Sequence, residues 1–151
     1  DYYGAGVLCG QKLYDWLNET YPDAKPEEVG AIFITFSSSP QLHLRYQGAW
    51  DKYTELAGSD NNCFTADAIT FGLGVQAGMD ATSPIITTNS DIKYWLVFGL
   101  VDDLDVLVDV GDRLHREVAV FDNVWDCSRH NLFFLSFASR EINSRISRRG
   151  I

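Results

Sequence analysis

Ala31-Ile-Phe-Ile-Thr-Phe36 is the stretch on which the fold turns. Six apolar or β-branched residues in succession describe a strand buried on both faces, the pattern required by a parallel sheet covered by helices. Ser37, Ser38 and Ser39 then lead into Pro40. A serine N-cap followed by the proline favoured at the first helical position starts a helix there. Leu42, Tyr46, Trp50 and Tyr53 fall on one stripe of that helix, with Asp51, Lys52 and Glu55 off it, so an aromatic face packs on the sheet until Gly58 closes the helix.

Working outward, Gly6 to Leu17 carries Leu13, Trp16 and Leu17 at helical spacing and ends before Pro22, which reads as a first helix. Thr65 is expected to cap a third helix from about Ala66 to Met79, weakened by Gly72, Gly74 and Gly78. Two apolar runs follow, Pro84 to Thr88 and Tyr94 to Val101, separated by the turn-forming Asn89, Ser90 and Asp91; the second is the main buried strand. Asp105 to Val110 suits either strand or helix and is assigned to helix as the crossover before the next strand, Glu117 to Asp122. Leu132 to Ala138 is a further strand before a polar terminal helix. Alternating strands and helices at this spacing predict an open parallel α/β sheet with helices on both faces, in one domain spanning residues 1–151.

Composition narrows the partners. Lysine and arginine total 12 against 21 acids, a formal charge of -9, so nucleic acid and anionic lipid are repelled over most of the surface. The local exception, Arg140, Arg145, Arg148 and Arg149, reads as a solvated basic face. No apolar run reaches the roughly 18 residues needed to span a bilayer. Cys9, Cys63 and Cys127 are scattered, without zinc-site spacing, and allow at most one disulfide. The chain opens on Asp1 with neither initiator methionine nor leader, and is expected to be a segment of a longer protein.

Catalytic patterns are weak. Gly4, Gly6 and Gly10 approach a dinucleotide fingerprint, but the third glycine is displaced and no strand precedes it; the spacing recurs at Gly72, Gly74 and Gly78, and small residues on a packed helix explain both. His43, His115 and His130 lack ligand spacing, and no nucleophile motif is present. Asp102 and Asp103 read more economically as a helix cap and first-turn acid than as an acid–base pair. No cofactor or metal is expected, and the chain is read as a binder rather than an enzyme.

In an open parallel sheet, ligands bind beyond the carboxyl ends of the strands. The residues placed there are Ser37 to Ser39, Arg45 in the opening turns of the next helix, Leu100 to Asp103, and Asp122 with Asn123. They supply a guanidinium, hydroxyls, carboxylates and an amide, the donors and acceptors that sugar hydroxyls satisfy. Trp125 or Trp50 could stack on a sugar's apolar face, although Trp50 fits the core better.

These residues resemble the type I periplasmic sugar-binding proteins, in their L-arabinose-binding-protein-like branch, over one lobe from Asp1 to about Asn123. Asp91-Ile-Lys-Tyr-Trp-Leu-Val-Phe-Gly-Leu-Val-Asp-Asp103 resembles the family's segment entering a strand and then an asparagine–aspartate pair. Arg45-Tyr-Gln-Gly48 is similar to the R-x-x-G near the start of a lobe helix, and Val118-Ala-Val-Phe-Asp-Asn123 to the strand ending beside the sugar. Gly6 to Leu17 is similar to the helix after the first crossing between lobes. The resemblance implies that Arg45 bonds sugar oxygens, that Asp122 accepts from hydroxyls, and that Leu100 and Ser39 line the pocket, with Asp102 and Asn123 beside them. Val101 departs from the family's asparagine and removes an amide ligand, the segment from Asp103 to Glu117 is shorter than usual, and nothing matches after Asn123.

The resemblance further implies one lobe of a two-lobe solute-binding protein that hinges shut on a pentose or hexose. Its partners would be the second lobe and the membrane permease subunits of an ABC-type carbohydrate importer, and its location periplasmic or cell-surface attached. The alternatives are the effector lobe of a sugar-responsive regulator, which uses the same fold, and a small α/β enzyme using Asp102, Asp103 or Asp122.

Overall fold

The computed structural model describes residues 1–72, 75–99 and 117–121. Helix α1 spans Tyr2–Thr20, a turn longer at its start than the apolar spacing indicates. The cause is Asp1, whose carboxylate accepts from the Tyr3 N–H at 3.1 Å and caps the helix. A short 3₁₀ turn, Pro26–Glu28, leads into strand β1, Val29–Thr35, buried at every position as the apolar run requires. Helix α2 runs Pro40–Ala57, with Ser39 as N-cap and Gly58 as a left-handed C-cap at φ 70°.

Strand β2, Cys63–Asp67, and a 3₁₀ turn at Ala68–Thr70 occupy the place expected to open the third helix. That helix, α3, lies later, at Val75–Thr88. Two physical facts account for the correction. Cys63-Phe-Thr-Ala-Asp67 is short enough to be extended by pairing with β1. The apolar run at Pro84 belongs to a helix because Gly78, Thr82 and Ile86 are buried at i, i+4 spacing. The Thr82 hydroxyl returns to the Gly78 carbonyl at 2.7 Å, which suits a buried polar side chain. Gly72 sits in a turn at φ 88°, outside any helix, so helix packing does not explain that glycine.

Strand β3 is Tyr94–Phe98 and β4 is Glu117–Phe121. The four strands lie in the order β2-β1-β3-β4, all neighbours parallel. The expected helix at Asp105 to Val110, the strand at Leu132 to Ala138 and the terminal helix lie outside the described residues.

Register divides the core. Phe33 pairs with Phe98, and on their face Phe33 meets Trp50 at 5.2 Å and Tyr53 at 5.6 Å between ring centroids, so the aromatic stripe of α2 packs as its spacing requires. On the other face Trp95 lies over Gly30, where an added Cβ would stand 2.6 Å from the indole, and beside Phe64 at 5.7 Å. Moving from β1 to β2 and then back past β1 to β3 reverses direction, and right-handed crossovers place α2 and α3 on opposite faces. Helices thus cover both faces of an open parallel sheet.

Helices α1 and α2 approach at backbone distance. A Cβ at Gly6 would stand 1.9 Å from the Arg45 carbonyl oxygen, one at Gly10 2.4 Å from that of Ala49, and one at Gly48 2.1 Å from that of Tyr3. Gly6 and Gly10 of the first motif therefore serve close helix packing, whereas Gly4 faces only the Asp1 side chain.

Candidate functional site

The strand order passes from β1 to β2 and back past β1 to β3, with α2 and α3 on opposite faces. An open parallel sheet takes ligands in the crevice beyond the carboxyl ends of the strands at such a switch point, here β1 and β3. Three described elements border it: the loop Phe36 to Ser39, the first turns of α2, and the end of β3.

Arg45 stands in the second turn of α2, half-buried, with its Cζ 5.9 Å from the centroid of the Phe98 ring. Phe98 is fully buried and closes β3, so the guanidinium lies over the carboxyl end of that strand. Contact with an aromatic face contributes about 0.5–2 kcal/mol, depending on how far the cation is desolvated. The backbone of Arg45 is fixed from behind, where its carbonyl faces Gly6 across the α1–α2 contact.

Ser39 is in place as the N-cap of α2, and its backbone is fully engaged. Its N–H donates to the Phe36 carbonyl and its carbonyl accepts from the His43 N–H, both at 2.9 Å. Its hydroxyl makes no capping hydrogen bond, which differs from an ordinary serine cap and leaves that group uncommitted to the helix end.

The structure brings Arg45 and Ser39 to one edge of the sheet. Leu100, Asp102, Asp122 and Asn123 lie outside the described residues, as do Asp103 and Trp125. The described backbone stops one residue short of Leu100, at Gly99, and one short of Asp122, at Phe121, which pairs in register with Phe98. Trp50 belongs to the core through Phe33 and is not a crevice residue.

Sequence reasoning missed a polar group on the same edge. Asp67 ends β2 opposite Thr35, and its Oδ1 accepts from the Ser37 N–H at 3.3 Å and the Ile69 N–H at 3.1 Å. Burial works against its ionised form, but the bonds from Ser37 and Ile69, with His43 nearby, hold the carboxyl below the usual aspartate range. The buried Thr35 hydroxyl meets His43 Nδ1 at 3.3 Å, His43 stacks on Tyr46 at 5.4 Å, and the Tyr46 hydroxyl meets that of Thr65 at 2.8 Å. The signal for Asp67 was its place at the end of a short β-prone run, hidden by assigning that run to a helix.

A shallow depression lined by Trp50, Asp51, Glu55 and Asp60 is open to solvent at the other end of α2 and takes no part in this arrangement. Among the described residues no three His, Cys, Asp or Glu side chains are grouped to hold a metal ion. Burial, with Asp60 nearby, pushes the Cys63 thiol up to about 11, far from a reactive thiolate. No described helix is long and apolar enough to cross a membrane.

No family model matches the chain. Over 115 residues, 76% of its length, it is 29% identical to the ABC transporter L-arabinose-binding periplasmic protein of Azospirillum brasilense. The chain spans about a third of that relative's length, 33%. This distant likeness and the open parallel sheet agree with one lobe of a periplasmic-binding-protein-like fold.

Proposed function

We propose that the chain is the sugar-binding lobe of a solute-binding protein serving an ABC-type carbohydrate importer, working outside the cytoplasm. The observation that carries the reading is Arg45 seated on Phe98 at the point where the strand order reverses, the place where open parallel sheets take ligands. An arginine fork and a serine hydroxyl at such a point suit a polyhydroxyl ligand, and the similarity to an arabinose-binding periplasmic protein supports the same class. In this reading Leu100, Asp102, Asp122 and Asn123 complete the contacts from the ends of β3 and β4, and a second lobe closes over them. Permease subunits of the transporter receive the closed form.

The test is a thermal-shift screen of pentoses and hexoses on the full-length protein, with L-arabinose as the first probe. A sugar that binds only the folded state raises the melting temperature with concentration, by about 2.7 kcal/mol of added stability at a hundredfold excess over Kd. No shift with any member of the panel would remove the proposal.

A further inference from the structure

We infer that Asp67 is the positioning residue of the crevice loop: its side-chain oxygen Oδ1 ties Ser37 to the end of β2 and so fixes the loop that carries Ser39. The inference rests on the ligand-crevice reading for its functional consequence, but its structural part stands on contacts within the chain.

The loop from Phe36 to Ser39 joins the end of β1 to α2. A serine N-cap ordinarily holds such a junction by bonding its hydroxyl to the helix N–H groups, yet the Ser39 hydroxyl makes no such bond. The holding contact comes instead from the neighbouring strand. Thr35 and Asp67 are register partners, so the Asp67 side chain starts beside the residue where the loop leaves the sheet. One oxygen, Oδ1, receives both the Ser37 N–H at 3.3 Å and the Ile69 N–H at 3.1 Å, bridging the loop after β1 to the turn after β2. His43 faces Thr35 from the first turn of α2 and adds its bond on the same side. The loop is therefore anchored from outside itself, and the serine hydroxyl remains available to a ligand.

The chemistry separates geometry from charge. Asparagine keeps an acceptor oxygen where Oδ1 stands, serine is long enough to cap Ile69 but falls short of Ser37, and alanine removes both bonds. A residue that merely stabilises the fold would loosen the whole sheet, whereas a positioning residue loosens residues 37–39 while the core stays closed.

The experiment is amide hydrogen exchange on the full-length protein without ligand, for the wild type, Asp67→Asn, Asp67→Ser and Asp67→Ala, followed by calorimetry with L-arabinose. Exchange at residues 37–39 is expected to rise more than tenfold in the serine and alanine variants, with β1 and β3 amides unchanged and the asparagine variant close to wild type. Should Asp67→Ala fail to fold, the serine variant decides, because it keeps the cap on Ile69. Unchanged exchange at residues 37–39 in the serine variant, or a uniform rise across the sheet, overturns the inference. Arabinose affinity is expected to fall more than tenfold alongside the loosened loop. Loosening without any loss of affinity in a protein that binds the sugar would instead remove the loop from the ligand site, and absence of binding by the wild type would fall on the crevice reading alone.

Discussion

The Arg45 guanidinium carbon lies 5.9 Å from the centroid of the Phe98 ring, so a cation from α2 rests on the last residue of β3. Two elements far apart in sequence are thereby locked at the edge where the strand order reverses. An arginine held by an aromatic face loses little freedom when a ligand arrives, and its donors keep a fixed direction.

Phe98→Leu tests that arrangement. Leucine retains an apolar side chain in a fully buried site but offers no ring face to the guanidinium. Stability is expected to fall by about 1–2 kcal/mol, within the range for a core swap of changed shape. Sugar binding is expected to weaken by a further factor of about 2–30, the equivalent of the lost cation–π contact, measured by titration calorimetry on the folded variant.

Gly6→Ala and Gly4→Ala form a contrasting pair. A Cβ at Gly6 meets the Arg45 carbonyl oxygen at 1.9 Å, so the helices must separate, and a loss of about 1–3 kcal/mol in thermal or urea unfolding is expected. Because the displaced carbonyl belongs to Arg45, ligand affinity is expected to fall with it. A Cβ at Gly4 meets only the end of the Asp1 side chain, at 3.0 Å, and helix propensity there favours alanine by up to about 1 kcal/mol. Gly4→Ala should unfold at or above the wild-type temperature.

Acid stability has a local signature at the opposite end of the sheet. Lys93 bonds to Glu28 and, with help from the Lys25 backbone, holds the glutamate carboxyl below its ordinary value of 4.5. A depressed carboxylate contributes stability that is present above its unfolded value and lost as pH falls through the folded one. Lys93 is raised above 10.5 by the same partner, so its share is present below that value and lost as pH rises through the folded one. Lys93 is exposed and Glu28 half-buried, and salt screens such a surface pair. Lys93→Met is expected to flatten the acid limb of the stability profile below pH 4.5 at low ionic strength, leaving the backbone bond from the Lys93 N–H to the Glu28 carbonyl in place. An unchanged acid limb would count against the pairing.

Much of the fold was legible because strong signals agreed locally. Ala31 to Phe36 admitted one reading, and the serine run, Pro40 and Gly58 marked both ends of α2 with residues suited to caps. Tyr94 to Phe98 and Glu117 to Phe121 were equally plain as β-branched and aromatic runs. Cys63 to Asp67 was not, since five residues with Thr65 in the middle resemble a cap followed by a helix, and only pairing with β1 makes them a strand. Pro84 hid a helix for the converse reason, because proline argues against the element that Gly78, Thr82 and Ile86 require. The positions of Arg45 and Ser39 beyond the carboxyl end of β1 could be read from their distance after a buried strand. Asp67 could not, because its importance depends on a neighbour 30 residues away, Ser37, brought close only by the parallel register.

The most direct measurement is calorimetric titration of L-arabinose into the full-length protein and its Arg45→Ala variant, each first shown to be folded by its unfolding transition. Wild-type binding that weakens by more than about tenfold on removal of the guanidinium, with the transition retained, is the expected result, since an unpaired sugar oxygen costs about 1–3 kcal/mol. Equal affinities for the two proteins would contradict the placement of the ligand between the ends of β1 and β3.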